Sequence, residues 1–122
     1  MSAVDLVMGK ILTDMLEIDG VIGTIVVDKD GLVIESAMKK NLDREAIAGV
    51  LHELVSAIKL MGDQFGAGEL KEAILEFKNA RMFINPIGGD YYLIVIGDAD
   101  LNLGRMKLEL RKVLPKLEEM LY

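Results

Sequence analysis

The stretch that decides the fold runs from residue 18 to residue 35: Ile18-Asp-Gly-Val-Ile-Gly-Thr-Ile-Val-Val-Asp-Lys-Asp-Gly-Leu-Val-Ile-Glu35. Its centre, Asp28-Lys-Asp-Gly31, separates two runs rich in Ile and Val. This pattern is typical of a tight turn between antiparallel strands, because glycine accepts the positive φ that such turns need. The sequence therefore predicts a hairpin with strands over 21–27 and 32–36. Little polarity interrupts the first run, so we expect that strand to be central and covered on both faces.

Helices are predicted on either side of this hairpin. Apolar residues recur every three to four positions over 4–18, with Ser2 and Asp5 as an N-cap pair. Asp43 is expected to cap a second helix that ends near Met61. The apolar stripe of this second helix is wider than contact with one sheet requires. Part of it should therefore be buried against something else.

The second half of the chain adds three strands and one helix. Alternating apolar and polar residues predict a half-exposed strand over 70–78, and a second strand over 81–85 should end at Pro86, which cannot donate to a central ladder. A continuous apolar run over 91–96 predicts another buried strand. The last helix is expected over 101–121, capped by Asp100 or Asn102, with Pro115 kinking it or ending it at Leu114.

These elements follow one another in the order α-ββ-α-βββ-α, without a linker or a repeat. The sequence predicts a single domain over residues 1–122 of the α+β class. The first and last strands, which are the most buried, should lie side by side with helices on both faces. The expected architecture is a three-layer α/β/α sandwich around a mostly antiparallel sheet.

The composition limits the classes of function. The chain has 122 residues, a net charge of −6, no cysteine and one histidine. A nucleic-acid partner is not expected from this charge, and disulfides and thiolate zinc sites are excluded. No apolar run reaches the length of a membrane span, and the first residues lack the pattern of a signal peptide. We expect a cytoplasmic protein that does not insert into a membrane.

A search for catalytic and ligand-binding motifs finds none. Neither G-x-x-x-x-G-K-[ST] nor G-x-G-x-x-G occurs, and a single histidine, His52, cannot build a transition-metal site or a triad. We therefore expect no catalytic residue, no cofactor, no metal and no enzyme activity. The helical stripes also contain five of the eight methionines, which we expect to fill the core: Met8, Met15, Met61, Met106 and Met120.

Four stretches in order along the chain resemble the Roadblock (dynein light-chain) family, which is associated with regulation of Ras-like GTPases. They are the hairpin at 18–35, Gly68-Glu-Leu-Lys-Glu-Ala-Ile-Leu-Glu76, Phe83-Ile-Asn-Pro-Ile-Gly-Gly-Asp-Tyr-Tyr-Leu-Ile-Val-Ile96, and Asn102-Leu-Gly-Arg-Met-Lys-Leu-Glu-Leu-Arg-Lys112. The resemblance implies a five-stranded sheet in the order 2-1-5-4-3. It places the first and third helices on one face and the second helix on the other. A short chain of this kind is similar to the prokaryotic single-domain branch.

The resemblance also implies two surfaces, a dimer interface and a partner site. Family members typically dimerise through their third strands and second helices, so the implied interface consists of Leu70, Glu72, Ala73, Ile74, Leu75 and Glu76 with Val50, Leu54, Ala57 and Met61. Family dimers serve as platforms for Ras-like GTPases. The partner-binding surface is accordingly expected on the second helix, among the side chains predicted to face away from the sheet: Arg44, Glu45, His52, Glu53, Ser56 and Lys59.

The leading hypothesis is thus a homodimeric, non-enzymatic scaffold that binds a small Ras-like GTPase, with modulation of its nucleotide cycle as a further expected role. Two alternatives remain open at this stage. One is a small-molecule or lipid sensor domain of profilin-like or longin-like fold. The other is a purely structural dimer within a larger complex.

Overall fold

A computed structural model describes residues 2–122 as one sheet with helices on both faces. The elements, numbered in chain order, are α1 (Ala3–Met15), β1 (Val21–Asp28), β2 (Val33–Met38), α2 (Arg44–Asp63), β3 (Ala73–Glu76), β4 (Ala80–Ile87), β5 (Tyr91–Asp98) and α3 (Leu103–Leu121). The strands lie in the order β2-β1-β5-β4-β3, and every neighbouring pair is antiparallel. The predicted fold class, strand order and element order are confirmed.

The sheet separates two hydrophobic cores. On one face Met8 and Leu12 of α1 and Met106 of α3 pack against residues such as Phe83 and Leu93. On the other face α2 packs on β1, β4 and β5, chiefly through its three buried residues, Ala48, Leu51 and Val55. Because β1 and β5 contribute to both cores, they are apolar on both faces, as their uninterrupted sequences indicated.

The β1–β2 turn follows directly from its sequence. The Oδ1 atom of Asp28 accepts hydrogen bonds from the backbone N–H groups of Asp30 and Leu32, at 2.9 and 3.0 Å. Gly31 has a φ of +86°, which a residue with a Cβ rarely adopts. A Cβ there would also lie 3.3 Å from the carbonyl oxygen of Ala48. The turn therefore lies directly against α2.

The helix caps agree with the sequence. Ser2 and Asp5 form a reciprocal capping box at the start of α1, and the hydrogen bonds from Ser2 hold the pKa of the Asp5 carboxyl below its usual value. Asp43 caps α2, and Asn102 rather than Asp100 caps α3. Each cap accepts a backbone N–H that the first helical turn leaves without an intrahelical partner.

Two helix ends differ from the prediction. Helix α1 ends at Met15, three residues before Ile18, because the backbone tightens there and the N–H of Leu16 donates to the carbonyl of Thr13. Leu16 and Ile18 remain buried beyond the helix, which explains why the apolar periodicity continues. Helix α3 does not end at Leu114 but continues through Pro115, since Leu117 is fully buried and anchors the last turns in the core.

Several strand bounds differ from the prediction, and β2 and β5 each extend two residues further, to Met38 and Asp98. Leu32 belongs to the turn, because its N–H is bonded to Asp28. Strand β4 runs through Pro86 to Ile87 rather than ending at Asn85. Strand β3 spans only 73–76, because extending its register would place Lys71 opposite Pro86, which has no N–H to pair. Pro86 consequently has a neighbouring strand on one side only, the setting in which a sheet accommodates proline.

The C-terminal residue, Tyr122, fastens the β4–β5 turn. Its hydroxyl donates to the carbonyl of Ile87 at 3.1 Å and accepts from the N–H of Asp90 at 2.9 Å. Its ring meets that of Tyr91 edge to face, with the centroids 5.6 Å apart. Partial desolvation raises the pKa of the Tyr122 hydroxyl above its usual value.

Candidate interaction surfaces

Helix α2 lies along one face of the sheet and presents two chemically different flanks. Its buried residues define the side that contacts the sheet. One flank is apolar and faces β3 and β4, whereas the other is polar and faces the β1–β2 turn and β5. The α2 residues of the implied dimer interface lie on the apolar flank, and His52, Ser56 and Lys59 of the implied partner site lie on the polar flank.

The apolar flank contains all four α2 residues predicted for a dimer interface. Val50 is 65% exposed and Met61 is 60% exposed, Ala57 is exposed and Leu54 is half-buried. Their spacing of four, three and four residues places them in one row along the helix. The expectation that Met61 fills the core is therefore wrong, because it belongs to this exposed row. Met8, Met15 and Met106 are buried as expected, and Met120 is partly buried.

Strand β3 lies at the edge of the sheet, below this row. It pairs with β4 on one side, and among residues 2–122 no strand pairs with its other side. Ala73 and Leu75 point to the α2 face, whereas Ile74 points to the opposite core. Leu70 and Glu72 precede the strand, which corrects the prediction that it begins at Leu70.

Two acidic residues of the predicted interface have partners within the chain. Glu72 forms an ion pair with Lys107 of α3 at 3.3 Å. Glu76, the last residue of β3, pairs with Arg81 at 3.0 Å. Both glutamates are more than a third exposed, so these ion pairs contribute little to stability.

An apolar groove of about 420 Å³ lies between the outer flank of α2 and the edge of the sheet. All eight of its lining residues are apolar: Ala46, Ile47, Val50, Leu51, Leu54, Leu75, Phe77 and Met82. Phe77, just beyond β3, is 57% exposed. The predicted interface residues did not include Phe77 and Met82, although the alternation that placed Ala73 and Leu75 on one face also places Phe77 there. No comparable local signal places Met82, which reaches the groove through its pairing with Leu75.

All six residues predicted for partner binding are exposed, and His52, Ser56 and Lys59 lie together on the polar flank. Three of them contact neighbouring strands or turns instead of pointing directly away from the sheet. The Nδ1 atom of His52 lies 2.7 Å from the carbonyl oxygen of Lys29, so that Nδ1–H donates to it. The Nζ atom of Lys59 lies 5.8 Å from the ring centre of Tyr92, and Arg44 donates to the hydroxyl of Ser36.

The other three residues of this set differ in their contacts. The Ser56 hydroxyl donates to the carbonyl of His52 within the helix, at 2.9 Å. Together with Lys29 and Tyr92, residues His52, Ser56 and Lys59 line a small cleft of about 40 Å³. No hydrogen bond or ion pair from the side chains of Glu45 and Glu53 is found within residues 2–122. The six residues thus present bases, acids and a hydroxyl along the length of the helix.

Residues 2–122 contain no group of three or more His, Asp or Glu side chains arranged to hold a metal ion. None of the helices in the same range is both long and apolar enough to cross a membrane.

Comparison with known proteins assigns the chain to one family. The sequence model of the Roadblock/LC7 domain matches residues 8–97. The chain is 27% identical over 117 residues to an uncharacterized protein of Methanocaldococcus jannaschii, MJ0714, and the match covers 96% of this chain and 98% of that relative.

Solved structures with low sequence identity share the fold. The gliding protein MglB from Thermus thermophilus superposes with a TM-score of 0.90 at 16% identity, over 98% of this chain and 92% of that chain. MglB from Myxococcus xanthus superposes with a TM-score of 0.85 at 21% identity, over 99% and 96% of the two chains. At such identities the likeness shows the common architecture.

Proposed function

Because the chain belongs to the Roadblock/LC7 domain family, we propose that it forms a homodimer through α2 and β3 and that this dimer is a scaffold for a small Ras-like GTPase. The observation that carries the proposal is the apolar groove beside the unpaired edge of β3. Exposed edge strands normally carry a partner or protective features. The edge of β3 combines an open ladder with an uncovered apolar surface.

A two-fold axis beside β3 would account for both the unpaired strand edge and the uncovered apolar groove. Antiparallel pairing of two β3 strands satisfies their free backbone groups and joins the sheets. The same operation brings the apolar flanks of the two α2 helices together, so that Val50 and Leu54 of each copy lie over the groove of the other. Such an isologous contact uses one patch twice. It buries the residues whose exposure in the single chain is otherwise unexplained.

The polar flanks of α2 provide the proposed contact with the GTPase. In the dimer, both helices lie on the same face of the joined sheet with their apolar flanks together, so the two polar flanks lie on the outer sides and each remains accessible to a partner. The side chains from Arg44 to Lys59 carry charges of both signs. Charged contacts of this kind determine the orientation and specificity of a complex more than its affinity. The cleft at His52 and Lys59 joins these side chains to the β1–β2 turn.

The groove favours this proposal over a sensor of small molecules or lipids. Ligand pockets combine apolar walls with a few convergent polar groups that fix the ligand. The groove beside β3 offers no such polar group, since all of its lining residues are apolar. A second copy of the same flank is apolar in the same way and needs no polar anchor.

Sedimentation equilibrium tests the dimer. We expect the mass of two chains at tens of micromolar, and a monomer at that concentration would contradict the proposal.

A binding assay tests the partner, with Ras-like GTPases from the source organism loaded with GDP or a non-hydrolysable GTP analogue. Charge reversal of Glu53 and Lys59 together should weaken binding at least about tenfold, because charge pairs across an interface are worth a kcal/mol or more. The dimer should persist, since both side chains lie off the groove. The matched control reverses Lys39 and Glu69, which lie outside α2. Unchanged binding by the Glu53 and Lys59 variant would assign the GTPase to another surface.

A further inference from the structure

On the face of the sheet opposite α2, the exposed charges of α1 and α3 differ in sign. Five basic residues lie within twelve positions of α3, although the chain as a whole carries a net charge of −6. They are Arg105, Lys107, Arg111, Lys112 and Lys116, and all five are exposed. The only acidic residue among these twelve positions is Glu109. The exposed side of α3 between Arg105 and Lys116 is therefore a basic stripe on an acidic protein, and Glu118 and Glu119 follow it in the last turn.

The neighbouring helix carries the opposite charge. Asp14 lies in the last turn of α1, and Glu17 and Asp19 follow the helix, against the single base Lys10. Lys10 pairs with Asp14 at 3.1 Å, within α1. On α3, Arg105 and Lys112 lie 3.6 and 3.9 Å from Glu109 of the same helix. In residues 2–122 no ion pair joins α1 to α3.

A groove of about 270 Å³ separates the two helices. Its floor is apolar and includes Met15, Ile18 and Val113. Asp14 and Glu17 line the rim on the α1 side, whereas Arg105, Lys112 and Lys116, together with the single acid Glu109, line the rim on the α3 side and give it a net positive charge. The surface thus consists of an acidic rim, an apolar floor and a basic rim.

We infer that this face binds a second copy of the same chain, with the two-fold axis running parallel to the groove. Rotation about that axis places the acidic rim of each copy over the net basic rim of the other, so the attraction between the two rims occurs twice in the pair. An axis across the groove would instead oppose acid to acid and base to base, which costs several kcal/mol. The arrangement of charge therefore selects one of the two possible axes.

This contact is separate from the proposed α2–β3 dimer. The two surfaces lie on opposite faces of the sheet, so both can be occupied at once. If both are used, the chain assembles beyond a dimer. If the α2–β3 contact fails, the same rims still pair two monomers. The self-association is expected to be weak and strongly salt-dependent, because exposed ion pairs contribute modestly and are screened.

Sedimentation velocity of the full chain at rising concentration tests the inference. Wild type should associate beyond its basal state at hundreds of micromolar in about 50 mM salt. Raising the salt to about 500 mM shortens the Debye length to roughly a third and should weaken this association about tenfold or more.

Charge reversal on each rim sharpens the test. Lys112→Glu with Lys116→Glu makes both rims acidic and should weaken the association more than about 100-fold, as should Asp14→Lys with Glu17→Lys, which makes both rims basic. Combining all four substitutions swaps the rims and restores the net charge of the wild type. The combined variant should therefore recover association to within about tenfold of wild type. Lys39→Glu with Lys40→Glu, in the β2–α2 loop, is the control with the same change in net charge as the first pair.

Three outcomes would overturn the inference. The first is the absence of any association beyond the basal state in low salt. The second is an association that survives both rim reversals, or that the combined variant does not recover. The third is binding to vesicles of anionic lipid that the Lys112 and Lys116 reversal abolishes while wild type does not self-associate. That result would assign the basic stripe to a membrane surface. Circular dichroism checks that each variant is folded.

Discussion

Val50 offers the most direct test of the proposed dimer, because it lies in the exposed apolar row of α2 and contributes little to the core of its own chain. Its side chain is 65% exposed, and the proposed contact would cover it. Replacing Val50 with alanine removes two carbon atoms, worth about 0.8 kcal/mol each when fully buried. About two-thirds of that value, or about 1 kcal/mol, belongs to the surface that dimerisation covers.

Two-fold symmetry doubles this effect. Each dimer contains two copies of Val50, so Val50→Ala should cost about 2 kcal/mol and raise the dimer Kd about 30-fold. Val50→Asp places two carboxylates in a groove lined only by apolar residues. An unpaired buried charge costs several kcal/mol, and we expect the Kd to rise more than about 1,000-fold. The graded response distinguishes a buried contact from an indirect effect.

Sedimentation equilibrium over a dilution series measures these dissociation constants. Leu32→Asp is the matched control, since Leu32 is 64% exposed in the β1–β2 turn and lies outside the groove. The fold is checked by circular dichroism rather than by melting temperature, because dissociation of a dimer lowers its apparent stability by mass action. If Val50→Asp still sediments as a dimer, or if Leu32→Asp dissociates it equally, the assignment of the interface to α2 and β3 is wrong.

Three further predictions concern the fold and its chemistry. Thr24 is fully buried and its hydroxyl donates to the carbonyl of Leu12 at 3.0 Å. Thr24→Val should therefore lower the free energy of unfolding, measured by urea titration, by about 1–2 kcal/mol. The exposed control, Thr13→Val, should change it by less than about 0.5 kcal/mol. The raised pKa of Tyr122 means that the protonated hydroxyl stabilises the fold. Its contribution should be complete below the ordinary tyrosine pKa and be lost as the pH rises through the raised value, and Tyr122→Phe should flatten that alkaline loss in thermal melts; an unchanged profile would contradict the role of the hydroxyl. Calorimetry with magnesium-ATP or magnesium-GTP should give no heat beyond dilution, since the sequence contains no phosphate-binding loop motif; a micromolar Kd for either nucleotide would refute this expectation.

The features that the sequence predicted well are those that short-range interactions determine. Asp28 and Gly31 form the β1–β2 turn through bonds within five residues, and the helix caps at Ser2 and Asp43 likewise use neighbours three residues away. The strand order came from the resemblance to a known family, since local patterns do not specify which distant strands pair. Apolar periodicity predicted the helices but could not show that Met61 faces solvent.

The bounds that the sequence misplaced depend on contacts between distant residues. Pro115 does not end α3 because Leu117, two residues later, is held in the core. Strand β3 is short because Pro86, on the neighbouring strand, interrupts the ladder that residues 70–72 would need. Similarly, helical spacing placed His52 and Lys59 on one flank of α2, but their contacts with Lys29 and Tyr92 arise only from the packing of α2 across the sheet.

The two flanks of α2 link the fold to the proposed function. An isolated domain would need only one apolar stripe on this helix, and Ala48, Leu51 and Val55 already provide it. The second apolar row, from Val50 to Met61, adds surface that is exposed in the single chain, and it lies on the side where the sheet also leaves β3 unpaired. The polar flank lies on the other side, towards the β1–β2 turn and the central strand β5. One helix can therefore contact a second copy on one flank while the other flank remains accessible to a partner.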